Sequence, residues 1–186
     1  MQREKITKYM HIAIIILGII FISIPIFHQN IWFDESYTVG IVSKSFADIW
    51  NIGSNDVHPI LYYFMVHILY LILGSNIYIY RIFSMIPVAI LAILGYTHIK
   101  KDFGEKVGFL FSFLTLFLPI SCVYSGEIRM YTGAMLFVSI MAIYAYRIYK
   151  QVENNERKTK IKNWVIFAIF SLASCYTHYY GLATAG

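Results

Sequence analysis

A chain of 186 residues that is 59% hydrophobic and only 13% charged has too little polar surface to cover a soluble fold. Its net charge of +5 is not a nucleic-acid footprint, because eleven of its fifteen lysines and arginines fall in three short polar stretches, 1–8, 100–106 and 150–163, between apolar blocks. Basic stretches placed this way mark cytoplasmic loops, so the expected partners are membrane lipids and not nucleic acid.

In chain order, the first apolar block runs from about 9 to 27 and follows Arg3, Lys5 and Lys8. It lacks a small-residue cleavage site and is followed by His28, Gln29 and Asn30, so it reads as an uncleaved first span and not as a signal peptide. Further blocks at about 77–99, 107–125, 130–149 and 164–183 are each long enough for a hydrocarbon core roughly 30 Å thick. The block from Pro59 to Leu73 has fifteen residues; as a helix it would reach only about 22 Å. Counting it as a crossing would put the second and third basic stretches on the wrong side. The expected fold is therefore an all-α polytopic bundle, one transmembrane domain over 1–186 with about five spans. An outer loop, 28–76, carries interfacial helices at about 35–50 and 59–73.

Residues 35–50 place Val39, Val42, Phe46 and Ile49 at helical spacing beside Trp50, as in an amphipathic helix at headgroup depth, with Asp34 at its amino-terminal end. This threading gathers Asp34, Glu35, Asp48, Asp56, His58, Arg81, Glu127, Arg129 and His178 at the outer face, the layout of an active site at a membrane surface. The two cysteines, Cys122 and Cys175, lie in apolar surroundings and read as small hydrophobes. Neither a Cys/His cluster at zinc spacing nor a glycine-rich phosphate loop occurs.

Each candidate has a plain reading beside a chemical one. Asp34 is a helix cap or an ionised carboxylate able to accept a proton, and these roles are compatible. His58, within Asp56-Val57-His58-Pro59, is part of a turn into a helix or an imidazole donor to an anion. Arg81, in an apolar run, snorkels to headgroups or faces inward, where its fork suits a phosphate. Glu127 and Arg129, two residues apart, cannot pair on one helix face, so each needs another partner. His178, with Tyr179 and Tyr180, belongs to an aromatic belt or lines the same cavity as Tyr62 and Tyr131.

In their order and spacing these pieces resemble the amino-terminal half of polytopic glycosyltransferases of the GT-C fold. The branch they look most like is glycosyltransferase family 39 and its relatives, the protein O-mannosyltransferases and the lipid A aminoarabinose transferases. The residues that carry the likeness are Trp32-Phe33-Asp34-Glu35-Ser36-Tyr37, His58-Pro59-Ile60-Leu61-Tyr62-Tyr63, Arg81, Phe103-Gly104 and Tyr124-Ser125-Gly126-Glu127-Ile128-Arg129-Met130-Tyr131. The resemblance covers about residues 5–183. Ile60 stands where the family often has a second proline.

The resemblance implies sugar transfer from a polyprenyl-phosphate donor to an acceptor hydroxyl (protein, lipid or glycan) on the outer or lumenal face of the cell membrane. Asp34 maps onto the acidic base, with Glu35 beside it and Glu127 as a second acidic position. Arg81, Arg129 and His58 would hold the donor phosphate, and Tyr62, Tyr131 and His178 would line the cavity. Such an enzyme needs no cofactor or metal, with Asp34 and Glu127 as metal ligands the minor option. Family members run to several hundred residues, so the chain reads as a fragment that is inactive alone. A transporter, with charges spread through the bilayer, or a non-catalytic scaffold, indifferent to Asp34, are the competing classes.

Overall fold

The computed structural model describes residues 2–154 and 161–185, with side chains from Lys5 onward. Arg3 and the 155–160 part of the third basic stretch lie outside the described side chains. The elements in order are α1 (Gln2–His28), α2 (Phe33–Val42), α3 (Phe46–Gly53), α4 (Leu61–Leu73) and α5 (Ile77–Leu94). A π turn, Gly95–Ile99, leads α5 into α6 (Lys100–Phe103). Then follow α7 (Glu105–Phe117), α8 (Pro119–Ser125), α9 (Tyr131–Glu153), α10 (Ile161–Thr177) and α11 (Tyr179–Ala185). The described residues contain no strand. Over the described residues the protein is all-α.

Three helices are long and apolar enough to cross a membrane: Lys5–His28, Ile77–Phe103 and Tyr131–Glu153. The bent pair α7 and α8, which meet at 57°, has the length and composition of a fourth when taken as one broken span, and otherwise forms a re-entrant loop. The bend follows from local sequence. Pro119 opens α8, its ring clashes with a helical neighbour, and Leu118 is accordingly extended (φ −64°, ψ 132°). The stretch expected as one span at 164–183 is two helices broken at His178. Gly181 allows the second to fold back, since a Cβ there would collide with the Ser174 carbonyl. α10 has 17 residues and α4 has 13, both apolar but shorter than the three long helices.

The helix expected over 35–50 is also two. Ser43, Lys44 and Ser45 interrupt it, and the Ser45 hydroxyl caps α3 by accepting the Asp48 backbone N–H at 3.2 Å. A serine followed three residues on by an acid competes with helix continuation and favours a new start.

α5 lies at the centre, packed against α1, α7, α8 and α9, while α10 packs on α9 and α11. One apolar cluster, with Ile15, Ile22, Val88, Ala92 and Leu116, joins α1, α5 and α7 at mid-depth. A second, with Ile41, Ile49, Tyr62, Val66, Tyr80, Ile128 and Met130, seals the short helices onto one end of the bundle. Gly95 and Gly108 mark where the α5 extension and α7 cross, a Cβ on Gly95 falling 2.9 Å from the Gly108 carbonyl. Beside that crossing His11 Nε2 lies 2.7 Å from the Ser112 hydroxyl, while its Nδ1 is buried without a partner.

Both ends of the α5–α9 pair are pinned. The Thr132 hydroxyl donates to the Ser84 carbonyl at one end, and Arg147 pairs with Asp102 at 2.7 Å at the other. Lys100, Lys101, Lys106 and Lys150 lie at the second end, and Asp34, Glu35, Arg81 and Arg129 at the first. The protein thus has an end rich in acids and aromatics and a basic end.

Candidate active site

Asp34 and Glu35 occupy the first turn of α2, whose N-cap is Trp32. Asp34 is therefore not the cap. The Trp32 backbone N–H donates instead to Glu35 Oε2 at 3.4 Å, the reciprocal half of a capping box. Because successive helical residues point about 100° apart, the two carboxylates face different arginines.

Glu35 turns inward onto Arg81, and the pair is sealed, with side chains 1% and 2% exposed. Arg81 Nε donates to Oε1 at 3.0 Å and Nη2 to Oε2 at 2.8 Å, a bidentate fork. Its remaining N–H groups go to the carbonyls of Ile26, Gln29 and Asn30 at 3.2, 2.8 and 3.3 Å. All five guanidinium donors are thereby used. Glu35 Oε1 also accepts the Ile128 backbone N–H at 3.0 Å. One ion pair thus ties the end of α1, the first turn of α2, α5 and the 126–130 turn together.

Asp34 turns the other way. Its carboxylate is 36% exposed and lies 3.8 Å from Arg129 Nη2, whose side chain is 4% exposed. Arg129 Nη1 reaches the Thr38 hydroxyl at 3.4 Å and the Asp34 carbonyl at 3.5 Å, both long for a charged donor. Its Nε is buried with no partner. The guanidinium stands over the Tyr131 ring at 5.8 Å. The result is a buried cation with donors to spare beside a carboxylate open to solvent.

Glu127, 8% exposed, has a buried and unpartnered Oε2. Burial first, and then the Glu35 charge, push its carboxyl up to about 7. Arg129 pairs with Asp34 and not with Glu127, whose Oε2 has no partner, so of these two charges only Arg129 finds, among the described residues, the separate partner that their spacing predicts.

His58 and His178 approach with ring centroids 5.4 Å apart, and Tyr131 lies 6.5 and 5.9 Å from them. Burial, and then the Arg129 charge, lower the His58 pKa, so its imidazole is neutral at pH 7. Tyr124 packs against Tyr131 with the rings tilted at 45° and their centroids 4.7 Å apart. From this cluster a groove of about 290 Å³ runs along α9 and α11, lined by Tyr131, Ala134, Met135, Val138 and His178. Tyr62 is elsewhere: it is 2% exposed in the core, with its hydroxyl 2.7 Å from Ser84 Oγ.

One contributor, Thr38, escaped the sequence reading, and another, Asp56, stood there only among the outer-face acids and in the turn that carries His58. Thr38, one helical turn after Asp34, sits between that residue and Arg129, a position visible from the i,i+4 spacing. Asp56 accepts the Tyr63 hydroxyl at 2.8 Å and the Val57 N–H at 2.6 Å, fixing the loop that carries His58.

The described helices, several of them long and apolar enough to cross a membrane, form a bundle that concentrates carboxylates, arginines and aromatics at one end. Residues 57–184 match the family described as dolichyl-phosphate-mannose-protein mannosyltransferase, and the chain belongs to that family. It is a membrane glycosyltransferase of the GT-C kind. No curated protein and no solved structure matches the chain.

Proposed function

We propose that this protein moves a sugar from a polyprenyl-phosphate donor to an acceptor hydroxyl at the outer face of the membrane, with inversion at the anomeric carbon. The observation that carries this reading is the open Asp34–Arg129 pair. A sugar on a phosphate already has a good leaving group. The protein must then accept one proton and stabilise one departing anion. Asp34 takes the proton from the acceptor O–H as that oxygen attacks the anomeric carbon. The bond to the phosphate oxygen breaks, and polyprenyl phosphate leaves against the Arg129 guanidinium. A single displacement inverts the centre.

Arg129 suits the phosphate because it is buried, planar and not fully hydrogen-bonded, so the anion supplies the donors' missing acceptors. Arg81 has no donor to offer, and we assign it and Glu35 to positioning. Glu127, with its raised pKa, adjusts the charge of the site, and neutral His58 supplies a hydrogen bond without adding a second cation. The apolar groove beside Tyr131 and His178 fits the first isoprene units of the donor. No step in this scheme calls for a metal.

The test compares transfer from a polyprenyl-phosphate sugar in membranes by the natural chain and by Asp34→Asn at matched expression. Loss of a base is expected to lower transfer by about 10²–10⁴-fold. Equal transfer would make Asp34 a bystander and move the base to Glu127.

A further inference from the structure

The basic end carries a feature that sugar transfer does not use. Two adjoining cavities, of about 420 and 410 Å³, open between α6, the last turns of α9 and the first turn of α10, and share Lys101, Arg147 and Asn163. Lysines at the end of a membrane bundle are ordinarily a solvated rim, and three observations set this one apart. Arg147 is held in place, its Nε donating to Asp102 and its guanidinium standing 5.1 Å over the Tyr144 ring. Asp102 offsets its charge, and Glu153 offsets Lys150 at 2.6 Å, which leaves Lys101 and Lys162 without an ion-pair partner among the described residues. Finally, Gln151 lines the first cavity at 8% exposure, and its side-chain oxygen is buried with no hydrogen bond.

A buried unmet amide costs free energy unless something arrives to satisfy it. That occupant must be anionic, to answer Lys101 and Lys162, and must carry a hydrogen-bonding group for Gln151. It must also lie at the depth where the apolar α9 and α10 surfaces meet water. A phospholipid headgroup with a phosphate and free hydroxyls meets all three conditions. We propose that these cavities bind the headgroup of an anionic phospholipid in the leaflet opposite the candidate active site, with Lys101 and Lys162 on the phosphate and Gln151 on a headgroup hydroxyl.

The experiment titrates the full chain, purified in neutral detergent, with dioctanoyl phosphatidylglycerol, with the matching phosphatidylcholine and with inorganic phosphate, and reads bound lipid by native mass spectrometry. Saturable binding of one phosphatidylglycerol in preference to phosphatidylcholine is expected. Lys101→Gln with Lys162→Gln should weaken it about 30-fold, roughly fivefold per lysine. Lys101→Arg with Lys162→Arg should retain it. Lys5→Gln with Lys8→Gln, which removes equal charge from exposed positions at the same end of the bundle, should leave it within about twofold. Equal losses in the two glutamine pairs would reduce the site to diffuse surface charge and overturn the proposal. So would equal binding of phosphatidylcholine, or displacement of the lipid by inorganic phosphate at a similar concentration, which would identify a free anion as the occupant.

Discussion

Two neighbouring carboxylates, Asp34 and Glu35, meet two arginines in opposite ways. Glu35 and Arg81 bury each other at 2.8 Å, and every guanidinium donor is spoken for. Asp34 and Arg129 stand 3.8 Å apart, with the carboxylate open and one guanidinium nitrogen unmet. The closed pair grips the two segments that carry the open one, the first turn of α2 and the 126–130 turn. Saturation thus separates a group that holds the site from a group that can bind a ligand, even where sequence places them side by side.

The largest effect should come from breaking the closed pair. Arg81→Leu leaves the Glu35 carboxylate buried without a cation, which costs about 3–5 kcal/mol, and thermal unfolding in detergent should show the loss. Replacing both Glu35 and Arg81 by leucine should cost less than the single change, because no uncompensated charge remains. Native melting of Arg81→Leu combined with lost transfer would erase the contrast and put Arg81 in contact with substrate.

Arg129→Gln tests the other half. It removes a cation whose hydrogen bonds are long and incomplete, so melting should stay close to native. Transfer should fall by about 10²–10³-fold, the usual cost of one anion-stabilising donor. A drop in melting temperature as large as that of Arg81→Leu would mean that Arg129, too, is structural.

Glu127 sharpens the comparison through pH. Its folded-state pKa of about 7 lies above the ordinary 4.5, so the folded protein binds a proton that the unfolded chain releases. Stability from this group is full below pH 4.5 and is lost as pH rises through 7. Glu127→Gln cannot ionise, so its melting temperature should exceed that of the natural chain at pH 8 and the two should converge at pH 4. A constant difference across that range would mean that Glu127 does not titrate there.

Much of this was readable from the sequence. Long apolar blocks and clustered lysines announce a polytopic bundle with a basic end, and Trp32-Phe33-Asp34-Glu35 marks the first turn of the site. The choice of partners was not readable. Arg81 reaches Glu35 across 46 residues and Arg129 reaches Asp34 across 95, and only the packed fold decides which carboxylate each arginine receives. An arginine in an apolar run therefore looked like a phosphate ligand when the Glu35 carboxylate and three backbone carbonyls had already used its donors. Tyr62 misled for a similar reason, since aromatic content alone does not distinguish a cavity wall from a core. The break at Ser45, in contrast, was written in the Ser45–Asp48 spacing and was hidden only by the run of apolar residues around it.

The smallest effect belongs to Thr38, which joins the two halves of the open pair. Its hydroxyl donates to the Asp34 carbonyl at 3.0 Å and accepts from Arg129 Nη1 at 3.4 Å. Thr38→Val keeps the shape and β-branching but removes both contacts. The Asp34 carbonyl still has its helical partner, so the loss falls on Arg129, which becomes freer to swing from its place over Tyr131. One weak hydrogen bond is worth about 0.5–1.5 kcal/mol, so kcat/KM should drop about threefold to tenfold with little change in melting. If instead Thr38→Val matched Arg129→Gln in its loss of transfer, the hydroxyl would have to touch the substrate itself. The open face would then extend one helical turn further along α2 than Asp34.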